Sequence, residues 1–373
     1  MKILIVLGGF FPGKKFGGPP VSVDNFCTLM DDFDSYIITL NHDLFESTPY
    51  KNIYAGWNDR GNCKVLYLND RDYTKKTFEK CIIEINPDII YLQGVFQSCV
   101  VPCLFLAKKY GIKVILAPRG ELCEGAFNLK KYKKLPYIKM LLCLGLLRSI
   151  HWQSTSDEES DAIVKLIGVE KNLIHRLDNI PSIPKKEYKR RNKISGEGRF
   201  IFLSRVHPKK NLLYAIKCLH NVKGKVIFDI YGPMEDRAYW RKCREEINTL
   251  PENISVEYKG IVEHEHVHET LSQYDALLFP TLSENYGHII AESLITGTPV
   301  IISDQTPWND INELGYGAAI PLLNNKQFVN EIEKILLLNQ ETMGNASELV
   351  KKYAIKKMNI EHLRREYKFV FKL

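Results

Sequence analysis

Phe200-Ile201-Phe202-Leu203 is a continuous apolar run that breaks into Ser204-Arg205-Val206-His207-Pro208-Lys209-Lys210-Asn211 before a second apolar stretch opens at Leu212. Consecutive apolar residues without alternation describe a strand buried on both faces, as in a parallel sheet flanked by helices. Ala276-Leu277-Leu278-Phe279 repeats the pattern. Outward from these two runs, short β-branched segments alternate with longer helical or irregular stretches. Strands are expected at 2–7, 36–40, 64–68, 88–92, 113–117, 151–153 and 174–177, then at 200–204, 225–230, 254–258, 275–280 and 299–302. Such alternation predicts a doubly wound α/β architecture.

The two series are separated by Pro184 to Gly198, a polar and strongly basic stretch without apolar periodicity, read as a linker. The expectation is two Rossmann-like domains facing each other across a cleft. The first covers 1–185, a linker 186–198, and the second 199–355; a helix over 356–373 crosses back to the first domain. Ligands of such sheets bind outside the carboxyl ends of the strands. No internal repeat or low-complexity tract interrupts the pattern.

The 373 residues, 45% hydrophobic and 25% charged, exclude a disordered, collagenous or coiled-coil chain. Lys and Arg (51) exceed Asp and Glu (44) by only 7, so no nucleic-acid partner is expected. The apolar run Ile3 to Leu7 is too short for a secretory h-region of about 7–15 residues. No segment approaches the ~20 apolar residues of a membrane span. Nine scattered cysteines contain no Cys-x-x-Cys, which argues against a zinc ribbon or dithiol site and for a reducing, cytoplasmic compartment. The sequons at Asn253 and Asn345 then carry no meaning.

Arg205 and Lys210 follow a strand and precede a helix, where cationic side chains and free amides hold a diphosphate. About 75 residues later comes Phe279-Pro280-Thr281-Leu282-Ser283-Glu284-Asn285-Tyr286-Gly287-His288-Ile289-Ile290-Ala291-Glu292. A buried strand ends there, a polar turn follows and a helix begins near Tyr286. Seven residues, about two helical turns, separate Glu284 from Glu292, so both can face one ligand. Gly287 allows close backbone approach. In the first half, Gly8-Gly9 and Gly17-Gly18 follow the first strand, but neither Gly-x-Gly-x-x-Gly nor a Walker motif occurs, which disfavours a classical dinucleotide fold.

Arg205 and Lys210 with Glu284-x7-Glu292, followed by Gly297-Thr298-Pro299-Val300-Ile301, resemble glycosyltransferase family 4 of the bacterial surface-polysaccharide type. Ala117-Pro118-Arg119-Gly120-Glu121-Leu122, with Lys130 and Lys134 beyond it, and Ile302-Ser303-Asp304-Gln305-Thr306-Pro307-Trp308 are similar to blocks of that subgroup. The resemblance implies a GT-B fold and a metal-independent, retaining transferase. It would move a sugar from a nucleotide diphosphate sugar, UDP-linked by family frequency, to a glycan acceptor. The subgroup implies a lipid-linked oligosaccharide of capsule, O-antigen or exopolysaccharide synthesis.

Carried over by position, Arg205, Lys210 and Glu284 become catalytic: the cations hold the leaving diphosphate, and Glu284 orients the donor sugar. Gly17, Gly18, Arg119, Gly232, Asn285, Tyr286, Gly287 and Glu292 become donor-binding, with Glu292 on the ribose. No cofactor is implied, since the nucleotide sugar is a substrate. The chain departs from the family at Leu92-Gln93-Gly94-Val95, where many relatives carry a histidine-containing turn, so no acceptor-activating residue is named. Two other readings are a sugar-nucleotide epimerase of the same fold and a non-catalytic nucleotide-sugar-binding subunit.

Three further signals compete. His264-Glu265-His266-Val267-His268 spells His-Glu-x-x-His but lacks the long helix of a metalloprotease. Asp70-Arg71-Asp72 and Asp32-Phe33-Asp34 spell Asp-x-Asp, yet neither ends a buried strand. The basic, apolar segment 127–147 reads either as a core helix with a solvated end or as a peripheral contact with an anionic membrane at its inner face.

Overall fold

The computed structural model describes residues 1–16 and 18–373, and divides into two compact units, Met1–Ile180 with Ile360–Leu373, and Pro181–Asn359. The first unit holds β1 (Lys2–Val6), β2 (Asp34–Leu40), β3 (Trp57–Asp59), β4 (Lys64–Leu68), β5 (Ile89–Gln93), β6 (Lys113–Ala117), β7 (His151–Ser154) and β8 (Ile174–Arg176). They form one sheet in the order β3-β4-β2-β1-β5-β6-β7-β8, parallel throughout except for β3 against β4. The second unit holds β9 (Glu197–Leu203), β10 (Lys225–Tyr231), β11 (Ile254–Gly260), β12 (Ala276–Phe279), β13 (Val300–Ser303) and β14 (Ala318–Ile320). Its sheet is parallel in the order β11-β10-β9-β12-β13-β14.

The α/β reading with parallel sheets holds, and β1 shows why its strands lack alternation. Ile3 and Ile5 pack with Phe26, Tyr367 and Phe371, whereas Leu4 and Val6 pack with Phe78 and Val100 in a second cluster. Both faces of the sheet are covered, so every residue of the strand interior is apolar. Two strands escaped the sequence reading. Trp57–Asp59 and Ala318–Ile320 are three residues each, too short for a period, and form sheet edges.

The basic run 184–198 lies inside the second unit and departs from a solvated linker. The Arg190 guanidinium donates to the Gly297 and Tyr274 carbonyls and to Thr298 Oγ1, Arg191 pairs with Asp275 at 2.7 Å, and Lys193 is 6% exposed. These cations satisfy carbonyls and a buried carboxylate of the second unit, and β9 begins at Glu197, inside the expected linker. The C-terminal helix runs from Ile360 to Lys372 and belongs to the first unit.

Each sheet has one point where strand order reverses: β1/β5 in the first unit and β9/β12 in the second. Loops leaving the carboxyl ends of the two strands there diverge to opposite faces and leave a crevice.

Candidate functional site

In the second unit, the loops after β9 and β12 are stitched together by backbone. Leu282 N–H donates to the Lys209 carbonyl at 2.9 Å, and Asn211 Nδ2 donates to the Pro280 carbonyl at 2.9 Å. Lys210 ends a single 3-10 turn, Pro208–Lys210, and Asn211 at φ 59° turns the chain into the helix Leu212–Leu219. That geometry sets Lys210 Nζ 2.6 Å from Glu284 Oε1, with both side chains mostly buried. Thr281 Oγ1 donates to the same carboxylate oxygen at 2.9 Å, while Glu284 N–H is fixed by the Gln305 carbonyl at 3.0 Å. Burial lowers the Lys210 pKa, and Glu284 opposes that fall. The pair is therefore a cation and an anion held out of bulk water, each available to a ligand that offers better partners.

Arg205 leaves the same strand end but is more open, 39% exposed, and pairs with Glu235 at 2.8 Å. Glu235 follows Tyr231-Gly232-Pro233-Met234 after β10, so a third loop supplies this partner, which the sequence reading did not name. An arriving diphosphate would have to draw Arg205 away from Glu235 and share Lys210 with Glu284. Gly232 has a reason of its own: at φ 131°, a Cβ there would lie 1.9 Å from the Ser204 carbonyl oxygen. The ends of β9 and β10 pass that closely only with glycine between them.

Gly287, at φ 79°, is the N-cap of the helix His288–Ile295. The helix thus opens directly after the Glu284 turn, with the Ile290 and Ala291 N–H groups donating to the Gly287 carbonyl. Asn285 is exposed and Tyr286 half-buried. Tyr286 is set by Trp308, whose Nε1 donates to its carbonyl at 2.7 Å. Trp308, Gln305 and Thr281 are supporting residues that only the fold reveals, because each acts through a backbone or buried oxygen.

Glu292 is 5% exposed, and desolvation pushes its carboxyl up to about 8 from the ordinary 4.5. It therefore differs from Glu284, whose carboxylate has a cation beside it. Folding favours the protonated form of Glu292. Its contribution to stability is thus full below about pH 4.5 and is lost as pH rises through about 8. Thermal unfolding of Glu292→Gln should accordingly show a flatter decline between pH 5 and 9 than the parent chain. Parallel slopes for the two proteins would contradict this burial cost.

In the first unit, Gly17 lies outside the described residues, and Gly18 opens the helix Gly18–Leu29 on an exposed position. Arg119, at φ 57° after β6, is held by three neutral groups. Its Nε donates to Gln93 Oε1 at 2.8 Å, Nη1 to Asn179 Oδ1 at 2.6 Å and Nη2 to the Tyr91 hydroxyl at 3.0 Å. It has no ion pair among the described residues, so its charge is oriented without being neutralised. Beside it, the buried Gln93 Nε2 has no hydrogen-bond partner. The Gln93-Gly94-Val95 turn is tied to the Arg119 loop, since Gly94 N–H donates to the Ala117 carbonyl and Val95 N–H to Glu121 Oε2. Burial raises the Glu121 pKa.

The competing motifs resolve into structural roles. Asp32 pairs with Lys368 and Arg364 of the C-terminal helix, and Asp70 pairs with His42. His264–His266 is a short 3-10 turn, and His268 is turned inward, where burial lowers its pKa to about 4. No group of three or more His, Cys, Asp or Glu placed to hold a metal occurs among the described residues. None of the nine cysteines forms a disulfide among the described residues.

Residues 184–357 match the family model described as Glycosyl transferases group 1. That match spans most of the second unit and makes it similar to group 1 glycosyl transferases. Arg205, Lys210, Glu284 and Glu292 all lie inside it. The whole chain has the fold of GT-B glycosyltransferase structures. HepE of Anabaena, solved with UDP and glucose, superposes with a TM-score of 0.73 at 13% identity, covering 100% of this chain and 99% of that one. WaaG, a glycosyltransferase involved in lipopolysaccharide biosynthesis, superposes with a TM-score of 0.66 at 12% identity, covering 99% of both chains. In sequence, a processive diacylglycerol alpha-glucosyltransferase of Acholeplasma laidlawii is 24% identical over 232 residues, 59% of this chain and 68% of that protein.

Proposed function

We propose that the chain is a retaining glycosyltransferase that moves a sugar from a nucleotide diphosphate donor to a glycan acceptor. One observation carries this reading. Arg205, Lys210 and Glu284 sit on the loops of the β9/β12 switch point, with the Gly287 helix start beside them, inside the segment that matches the group 1 family. Breaking a sugar–diphosphate bond leaves negative charge on phosphate oxygens and positive charge on the sugar. The developing phosphate charge needs fixed cations at the place where it forms. Arg205 and Lys210 supply them without a metal, and Lys210 is screened little because it is mostly buried. Glu284, released from Lys210 as the diphosphate takes that cation, accepts hydrogen bonds from the donor sugar. Amides from Asn285 to Gly287 face the same group, Glu292 takes the ribose diol, and Gly232 lines the nucleotide pocket. The departing phosphate receives the acceptor's proton on the face it leaves, so retention needs no separate base.

A UDP-linked donor is favoured, since HepE was solved with UDP. A lipid-linked oligosaccharide acceptor at the cytoplasmic face of a membrane is favoured by WaaG's role in lipopolysaccharide biosynthesis and by the diacylglycerol glucosyltransferase relative. The surface of the first unit supports the same acceptor. No helix of the described residues is long and apolar enough to cross a membrane. The segment 127–147 instead splits its apolar residues: Ile138 and Leu141 are buried, while Leu129 is 71% and Tyr132 73% exposed beside Lys130, Lys131 and Lys133. Apolar side chains among lysines suit an anionic headgroup layer, where each lysine contributes about 1 kcal/mol. The protein is expected to sediment with phosphatidylglycerol vesicles and not with phosphatidylcholine vesicles, and to be released by 0.5 M salt. Equal recovery of a Leu129→Ser, Tyr132→Ser variant would remove the segment from this role.

Nucleotide release from a panel of UDP- and GDP-sugars, in EDTA, tests the activity. Donor-selective release that rises with a lipid-linked acceptor supports the transferase. Donor conversion without an acceptor would indicate the epimerase, and binding without release the non-catalytic subunit. Release that requires added metal would overturn the role given to the two cations.

A further inference from the structure

Arg119 is oriented by a circuit of hydrogen bonds that passes through the C-terminal helix. A guanidinium can only donate, so the Tyr91 hydroxyl must accept from Nη2 and send its own proton onward. That proton goes to Gln153 Oε1, which fixes the Gln153 amide with its nitrogen on the far side. Gln153 Nε2 donates to the Tyr367 hydroxyl at 2.7 Å, and Tyr367 donates to the Asp178 carbonyl at 3.0 Å. Asp178 precedes Asn179, whose Oδ1 accepts from Arg119 Nη1, so the two lines of donors that leave Arg119 end on adjacent residues and the backbone closes the circuit. Tyr91 and Gln153 are fully buried, and Tyr367 is 1% exposed. Each link has one possible direction, and consecutive links polarise one another in a dry interior.

We propose that Tyr367 is a positioning residue for Arg119, through which the C-terminal helix sets the direction of a cation that takes the donor's anionic group. The role of Arg119 as a donor contact rests on the function proposed above; the circuit that holds it does not. Arg119 has no carboxylate to orient it, so neutral dipoles must do so. A carboxylate would hold the guanidinium more strongly but would cancel the charge that a ligand needs. Removing the Tyr367 hydroxyl strands a Gln153 donor in the core and frees the amide to turn, so Tyr91 loses its acceptor and Arg119 loses a fixed Tyr91.

The test uses the full chain with Tyr367→Phe, Arg119→Ala and Leu363→Ala. Leu363 is a buried residue of the same helix that lies outside the circuit. Tyr367→Phe is expected to raise the donor KM on the order of fivefold, the worth of one net hydrogen bond, with kcat within about twofold. Leu363→Ala should lower thermal stability and leave KM unchanged. Hydrogen exchange at the Arg119 Nε–H, followed by ¹⁵N NMR, should be faster in Tyr367→Phe than in the parent chain or Leu363→Ala. This arm reads the positioning whether or not a donor is turned over. Unchanged exchange in Tyr367→Phe overturns the proposal. So does a shift in KM that Leu363→Ala reproduces, because helix packing alone would then account for it. If Arg119→Ala leaves KM unchanged while Arg205→Ala abolishes release, Arg119 has no donor to position and the proposal fails alone. If no variant of either unit alters release, the functional reading fails as well.

Discussion

Lys210→Met is expected to lower kcat/KM for nucleotide release by roughly 10²–10³-fold, the scale found when one fixed donor is removed from a site of developing charge. Lys210 is mostly buried against Glu284 at 2.6 Å, so the substitution also leaves a carboxylate without its cation. That second effect destabilises the fold, since a buried charge stripped of its partner costs about 3–5 kcal/mol at full burial and less for a pair that retains some exposure. Activity and stability would therefore fall together, and Lys210→Met alone would not separate chemistry from folding. Arg205→Ala separates them. Arg205 and Glu235 are both about two-fifths exposed, and such surface pairs contribute about 0–1 kcal/mol. Arg205→Ala should thus keep the parent melting temperature while losing most nucleotide release. Glu284→Ala should lose release as well, leaving Lys210 the unpaired partner. Measured in EDTA beside the parent chain, release within twofold of normal in all three variants would remove these residues from catalysis.

Gly232→Ala should fail at the level of folding. The new Cβ would sit 1.9 Å from the Ser204 carbonyl oxygen and 2.5 Å from its carbon, at a φ of 131° that side chains rarely adopt. Both obstacles are backbone, so no rotamer change relieves them; β9 and β10 would have to part at the strand end. Their pairing runs from Lys225 with Glu197 to Tyr231 with Leu203, and Gly232 N–H is itself bonded to the Gly260 carbonyl at 2.8 Å. A cost of roughly 4 kcal/mol or more is expected, the range reserved for strained backbone and overpacking. Chemical denaturation of Gly232→Ala beside Gly315→Ala checks it. Gly315 also has a positive φ, 72°, but a Cβ there would meet nothing within 4 Å. Equal stability of the two variants would show that the close approach relaxes without penalty.

The alternation of apolar runs with helical stretches was enough to read two parallel α/β sheets, because strands covered on both faces must be apolar along their whole length. Phe200–Leu203 and Ala276–Phe279 each carried that signal. It is absent from Trp57–Asp59, which pairs at an edge, and from Ala318–Ile320, whose alanines have no strand preference. The basic stretch before β9 misled for a related reason. Charge normally marks solvated chain, but here Arg190 and Lys193 find carbonyls to bond, and Arg191 a carboxylate. Composition registers the charge and is blind to the acceptor.

The same division runs through the candidate site. Local spacing was sufficient to place Arg205, Lys210 and Glu284 at the carboxyl edge of the sheet, since residues just beyond a buried strand and before a helix must lie there, whereas Glu292 falls inside the helix that follows. What each is doing there was decided by residues far away in the chain. Glu284 has Lys210 beside it, 74 positions earlier, whereas Glu292 is buried with its pKa raised by desolvation. Arg119 is directed by Tyr367, which no motif connects to it, through Tyr91 and Gln153. Backbone position follows from local apolar pattern and turn chemistry, which a sequence displays. Charge state and side-chain direction follow from which donors and acceptors meet across the sheet, and only the folded chain brings those together.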